Sequence, residues 1–118
     1  MESGQRKGQS LSWKLVRDNI KNWASTHGVS GTYRQASLEE YKQALQRKLA
    51  EELAEYYERL DAGELYDLQD VLATLIPVAD PDKKAWQRHV AKTDRLGMFG
   101  DRIMWNPVPA DYVKDEIT

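Results

Sequence analysis

Residues 37–79, SLEEYKQALQRKLAEELAEYYERLDAGELYDLQDVLATLIPVA, decide the fold. Ser37 followed three places later by Glu40 is a capping box, the pattern that opens a helix by satisfying its first free N–H groups. From there Leu38, Tyr41, Leu45, Leu49, Leu53, Tyr56 and Leu60 recur in steps of three and four, which is one face of a helix. The pattern predicts a helix from Leu38 to about Ala62, ended by Gly63. A second stripe follows at once, made of Leu65, Leu68, Leu72, Leu75, Ile76 and Ala79. So short a connection makes helices 38–62 and 64–79 an antiparallel hairpin.

Working outward, Val16, Ile20, Trp23 and His27 share a helical face upstream. Asp18 is placed to cap that short helix and Gly28 to stop it. Residues 29–36 read as a loop with an extended piece. Downstream, Pro77 should kink or end the second hairpin helix. Asp80-Pro81 reads as the cap and first position of a last helix that holds Trp86, His89 and Val90 and stops near Gly97. Ile103, Met104 and Trp105 form a short extended piece, punctuated by Pro107 and Pro109. Residues 1–12 read as a flexible leader, 13–109 as one all-α domain, and 110–118 as a polar tail.

Composition narrows the classes. A chain of 118 residues makes one domain with a modest core. Helical chains of this size commonly finish their core with a second copy. The expected fold is therefore an all-α hairpin completed into a four-helix-type bundle by dimerisation, as a homodimer or higher homo-oligomer. Seventeen basic and 19 acidic residues leave a formal charge of −2, which gives no global pull toward nucleic acid or an anionic membrane. The absence of cysteine excludes disulfides and thiolate metal sites. No apolar run approaches the roughly 18 residues of a membrane span. A cytoplasmic location is the expectation.

The acids are the informative residues. At ~100° per residue, Glu52 falls inside the apolar arc of the long helix, between Leu45 and Tyr41. Glu55 lies at the edge of that arc and Glu51 further round. A carboxylate facing a core costs several kcal/mol unless something pairs with it, and a cation would do so. Asp67 and Asp70 sit one turn apart on the second helix, and the turn brings Asp70 to the height of Glu55. Oxygen-only clusters of this kind suit Mg²⁺ or Mn²⁺. The competing reading is a solvated charged face. Lys48 with Glu52, and Glu55 with Arg59, are ordinary i,i+4 pairs, and the wheel puts Asp67, Asp70 and Thr74 away from the leucine stripe.

Glu51-Glu52-Leu53-Ala54-Glu55 followed by Asp67-Leu68-Gln69-Asp70 resembles the EExxE…ExxD signature of the MazG-like all-α NTP pyrophosphohydrolases. The stretch from Trp13 to Ile20 resembles the KLVRDxI opening of the phosphoribosyl-ATP-pyrophosphohydrolase-like branch. Tyr33 to Ser37 with Glu40-Tyr41 resembles the lead into its first metal helix, and Lys92 to Phe99 with Arg102-Ile103 resembles its closing segment. Two positions depart from the pattern. Asp67 stands where Glu is usual, and Leu96-Gly97-Met98-Phe99 stands where Arg-Gly-Gly-Phe is usual.

The resemblance implies a Mg²⁺-dependent enzyme, Mn²⁺ being an alternative, that splits a nucleoside triphosphate, including non-standard ones, into monophosphate and pyrophosphate. By the same resemblance Glu52, Glu55, Asp67 and Asp70 hold the metal and Glu51 takes the proton from water. Lys14, Arg17, Lys48, Arg95 and Arg102 are the candidate phosphate donors, with Arg34 and Lys92 behind them. Trp13 and Trp105 are the candidates for stacking on a base; Trp23, Trp86, His27 and His89 read as packing residues. Phosphoribosyl-ATP, dUTP or an alarmone are alternative substrates. An inactive helical module that binds a nucleotide or a protein partner is an alternative of another class, and a structural bundle with solvated acids is a third.

Overall fold

The computed structural model describes residues 13–108. The leader and the polar tail inferred from the sequence lie outside them. Among the described residues there are four helices and no strand: α1, Ile20–Thr26; α2, Leu38–Arg59; α3, Ala62–Ala79; α4, Lys84–Leu96. The described residues divide after Ala79 into two compact units.

In the first unit α2 and α3 pack on each other as the hairpin. Ser37 opens α2 as the sequence requires, its Oγ accepting from the Glu40 N–H at 3.2 Å. The Glu40 carboxylate is taken by Arg34, whose two guanidinium nitrogens donate to it at 2.7 and 2.6 Å.

The turn between the helices differs from expectation. The first helix ends at Arg59, with Leu60 as its cap in the left-handed region at φ 53°, and Gly63 lies inside the first turn of α3. Asp61 explains the shift. Its Oδ1 accepts from the Gly63 N–H at 2.9 Å, so it is the N-cap of α3, and starting α3 at Ala62 leaves Leu60 to make the reversal.

The faces also differ. On α2 the less exposed residues are Glu40, Tyr41, Lys42, Ala44, Leu45, Lys48, Leu49, Glu52, Glu55 and Tyr56. Leu38, Leu53 and Leu60 drop out of the stripe and are exposed. On α3 the less exposed face is Glu64, Asp67, Leu68, Val71, Leu75 and Val78. That stripe overlaps the predicted one only at Leu68 and Leu75. Leu65, Leu72 and Ile76 are exposed, and Asp67 lies on the less exposed face instead of apart from it. The face α3 turns inward thus carries two acids, which is what positions the site.

Elsewhere the caps shift locally. Asn19, not Asp18, is the N-cap of α1, and it makes no side-chain capping bond. Gly28 does end this helix, at φ 69°, with the Val29 N–H reaching back to the Ala24 carbonyl at 2.9 Å. Pro77 does not stop α3. It sits in the last turn, where its missing N–H leaves only the Ala73 carbonyl without its helical donor, and the helix runs on to Ala79.

In the second unit Asp80 does cap α4, but from outside. Its two oxygens accept from the Ala85 and Trp86 N–H groups at 3.0 and 2.9 Å, and the helix starts at Lys84 after a turn. Gly97 ends it at φ 78°. Ile103 to Trp105 have no regular structure. Trp23 and Trp86, read as core from their helical positions, are about half exposed, at 51% and 55%. Trp23 stacks on His27 with ring centroids 4.3 Å apart, and Trp86 meets His89 at 6.2 Å.

Candidate metal centre

The hairpin brings acids from both helices together. One carboxylate oxygen from each of Glu52, Glu64 and Asp67 lies within 4.8 Å of the other two. Glu52 comes from the inward stripe of α2, one turn beyond Leu49 and one turn before Tyr56. Glu64 and Asp67 come from successive turns at the start of α3. The short turn at Leu60 and Asp61 fixes this register: it places the first turn of α3 against the last turns of α2.

Glu52 is the residue under electrostatic load. Its Oε2 is buried and has no hydrogen-bond partner. Its carboxyl is pushed above the usual range. Burial is the largest cause, followed by the hydrogen bond its protonated form would give to Glu64, then the charges of Glu55 and Asp67. A buried oxygen with no donor, set among other carboxylates, is a group that needs a proton or a cation. The donor set is all oxygen and all anionic, so it fits a hard divalent ion such as Mg²⁺ or Mn²⁺.

The residues inferred from the sequence are distributed as follows. Glu52 and Asp67 are in the cluster. Glu55 is half-buried on α2 and acts on Glu52 through its charge. Asp70 is exposed and is engaged by Arg17, whose Nη1 donates to Asp70 Oδ2 at 2.9 Å while Nη2 donates to Asp67 Oδ1 at 3.2 Å. This Arg17 fork raises the guanidinium pKa further, mainly through the Asp70 hydrogen bond. Glu51 is exposed on α2, and Lys48 is half-buried one turn before Glu52. Lys14 is exposed in the segment that carries Arg17. Arg95, in the last turn of α4, and Arg102 belong to the second unit.

Glu64 is the member that sequence reasoning missed. It is 8% exposed, the one buried charged residue among those described. Arg59 donates to its Oε1 at 3.2 Å across the turn. The ordinary i,i+4 pairs are not formed: among the described residues Arg59 pairs with Glu64 instead of Glu55, and Lys48 makes no ion pair with Glu52. The signal was present in the sequence, since Glu64 and Asp67 are spaced i,i+3. The wheel drawn on the leucine stripe put Asp67 apart from it, and Glu64 lies in neither acidic motif that the sequence singled out.

Comparison of the chain with protein-family models, with curated proteins and with solved structures returns no match.

Proposed function

We propose that the chain is a divalent-cation-dependent nucleotide pyrophosphohydrolase whose cation is held by Glu52, Glu64 and Asp67. The observation that carries this reading is the buried, unpartnered Glu52 oxygen facing two further carboxylates on the α2–α3 hairpin. Its support from the sequence is the order and spacing of the acidic motifs and of the segment that holds Arg17. Glu55 and Asp70 complete the acidic surround, and Glu51 is the candidate to take a proton from water. Arg17 is fixed beside the acids and is the candidate donor to a phosphate; Lys14 and Lys48 lie on the same unit. A Mg²⁺ or Mn²⁺ ion bound by these carboxylates would neutralise phosphate charge and acidify a water.

The same reading includes a second copy. Leu65, Leu72 and Ile76 give α3 an exposed apolar stripe, and Leu53 on α2 and Leu60 at its C-cap are exposed as well. Only Ala24, Leu45 and Val71 are buried apolar residues among those described. A bundle completed by a partner hairpin would cover those leucines. Among the described residues no helix is long and apolar enough to cross a membrane.

The test is pyrophosphate release from a panel of nucleoside triphosphates, dUTP, phosphoribosyl-ATP and alarmones, with Mg²⁺ or Mn²⁺ and with chelator. Release from at least one, abolished by chelator, is the expected result. No release from any of them overturns the reading in favour of a non-enzymatic helical module.

A further inference from the structure

A cleft of about 810 Å³ opens on the first unit, lined by the segment before α1, the first residues of α1, the loop before α2 and the first turns of α2. Its volume is within the usual ~300–1,000 Å³ of small-molecule sites. The chain as a whole is acidic, yet this cleft gathers five cations, Lys14, Arg17, Lys21, Arg34 and Arg47, against two carboxylates, Asp18 and Glu40. Arg34 is committed to Glu40 and Arg17 to Asp67 and Asp70. Among the described residues Lys14, Lys21 and Arg47 make no ion pair; Arg47 acts on Glu40 only at longer range, and the Lys14 and Lys21 charges are available to a ligand. The lining is also aromatic. Trp13 is 52% exposed with Arg34 over its ring at 4.5 Å, and Tyr33 is 46% exposed with Lys21 over its ring at 5.4 Å.

Cations call for an anion, and flat exposed rings call for a flat apolar group. One molecule that carries both is a nucleotide. Arg17 sets the direction, because it lines the cleft and also donates to the acids of α3. We infer that this cleft is the nucleoside subsite: the base stacks on Trp13 or Tyr33, and the phosphates run past Arg17 toward the carboxylate cluster. The orientation of the phosphates rests on the pyrophosphohydrolase reading; the recognition of a base does not.

The test is binding, so that it needs no turnover. Calorimetry with the full chain in Mg²⁺ compares an α,β-methylene nucleoside triphosphate with inorganic tripolyphosphate, which has the charge and no base. The nucleotide is expected to bind about tenfold more tightly, as one base stack implies. Trp13→Ala or Tyr33→Ala should lower nucleotide affinity about tenfold and leave tripolyphosphate unchanged, while Trp13→Phe retains most of the difference. Helical circular dichroism identifies any variant that fails to fold, and the conservative Trp13→Phe then carries the comparison against wild type. Equal affinity for tripolyphosphate and nucleotide, or no effect of either aromatic substitution, overturns the subsite even if the wild type hydrolyses nucleotides. Tighter binding of a single-stranded oligoribonucleotide than of the mononucleotide also overturns it, in favour of an RNA groove. Nucleotide binding that depends on Trp13 without any pyrophosphate release sustains the subsite and sinks the hydrolase reading instead.

Discussion

Arg17 donates to Asp70 at 2.9 Å, across 53 positions of sequence, and its other guanidinium nitrogen reaches Asp67. The segment before α1 is thereby fastened to α3 through Asp67, which the proposed cation would also use, and through Asp70 beside it. Cation and guanidinium compete for the Asp67 carboxylate. Arg17→Gln should therefore tighten Mg²⁺ binding while weakening binding of the triphosphate. The side chains are half or more exposed, so the competition is worth about 1 kcal/mol or less, about fivefold in affinity. Calorimetry with Mg²⁺ alone checks the first effect, and KM for the nucleotide checks the second. Weaker Mg²⁺ binding in the variant would show that Arg17 supports the site instead of competing for it.

Glu52 makes stability depend on pH in a defined direction. Its carboxyl is raised, so just above the ordinary carboxylate range the folded chain holds more protons than the unfolded one. Stability then falls as pH rises through that window and levels off above the raised value. Urea unfolding of metal-free protein across this window should show the decline, and Glu52→Gln should remove it and be the more stable protein at neutral pH. Added Mg²⁺ should recover stability in the wild type by mass action. A flat wild-type profile would contradict the crowding of acids around Glu52.

Glu64 should matter to cation binding as much as the acids of the sequence motif do. Glu64→Gln keeps the shape and removes one charge. It is expected to weaken Mg²⁺ or Mn²⁺ binding by about tenfold to a hundredfold, the range for groups that hold or orient a metal's ligands. Glu58→Gln, an exposed change on α2, is the control and should leave binding unchanged.

The hairpin turn gives two stability predictions of opposite sign. Asp61→Ala removes the N-cap of α3 and should cost about 1 kcal/mol, roughly 4–8 °C in Tm. Leu60→Gly should stabilise. Leu60 is 70% exposed and held at φ 53°, so glycine relieves about 1 kcal/mol of left-handed strain at little loss of packing. Thermal unfolding of both variants checks the pair.

The hairpin, its capping box at Ser37, the glycine stops at Gly28 and Gly97 and the inward placement of Glu52 were all legible in the sequence. Each rests on local chemistry or on a periodicity carried by one helix. What was not legible depended on competition. Gly63 looked like the turn until Asp61, two residues before it, proved the stronger helix start. The leucines of α3 marked an inward face, yet Glu64, Asp67 and Val71 lie on the less exposed side, because the turn at Leu60 sets the rotation of α3 and leucine counting does not. Arg17 was a candidate for phosphate contact; its fork on Asp67 and Asp70 joins distant segments, and no local pattern encodes it.

The most direct measurement is Mn²⁺ binding to the purified chain, followed by loss of the free-ion electron paramagnetic resonance signal. The expected result is stoichiometric binding in the wild type, lost in Glu52→Gln and in Asp67→Asn while both variants keep their helical circular dichroism. Equal Mn²⁺ binding by the wild type and by both variants would contradict a cation site at the hairpin.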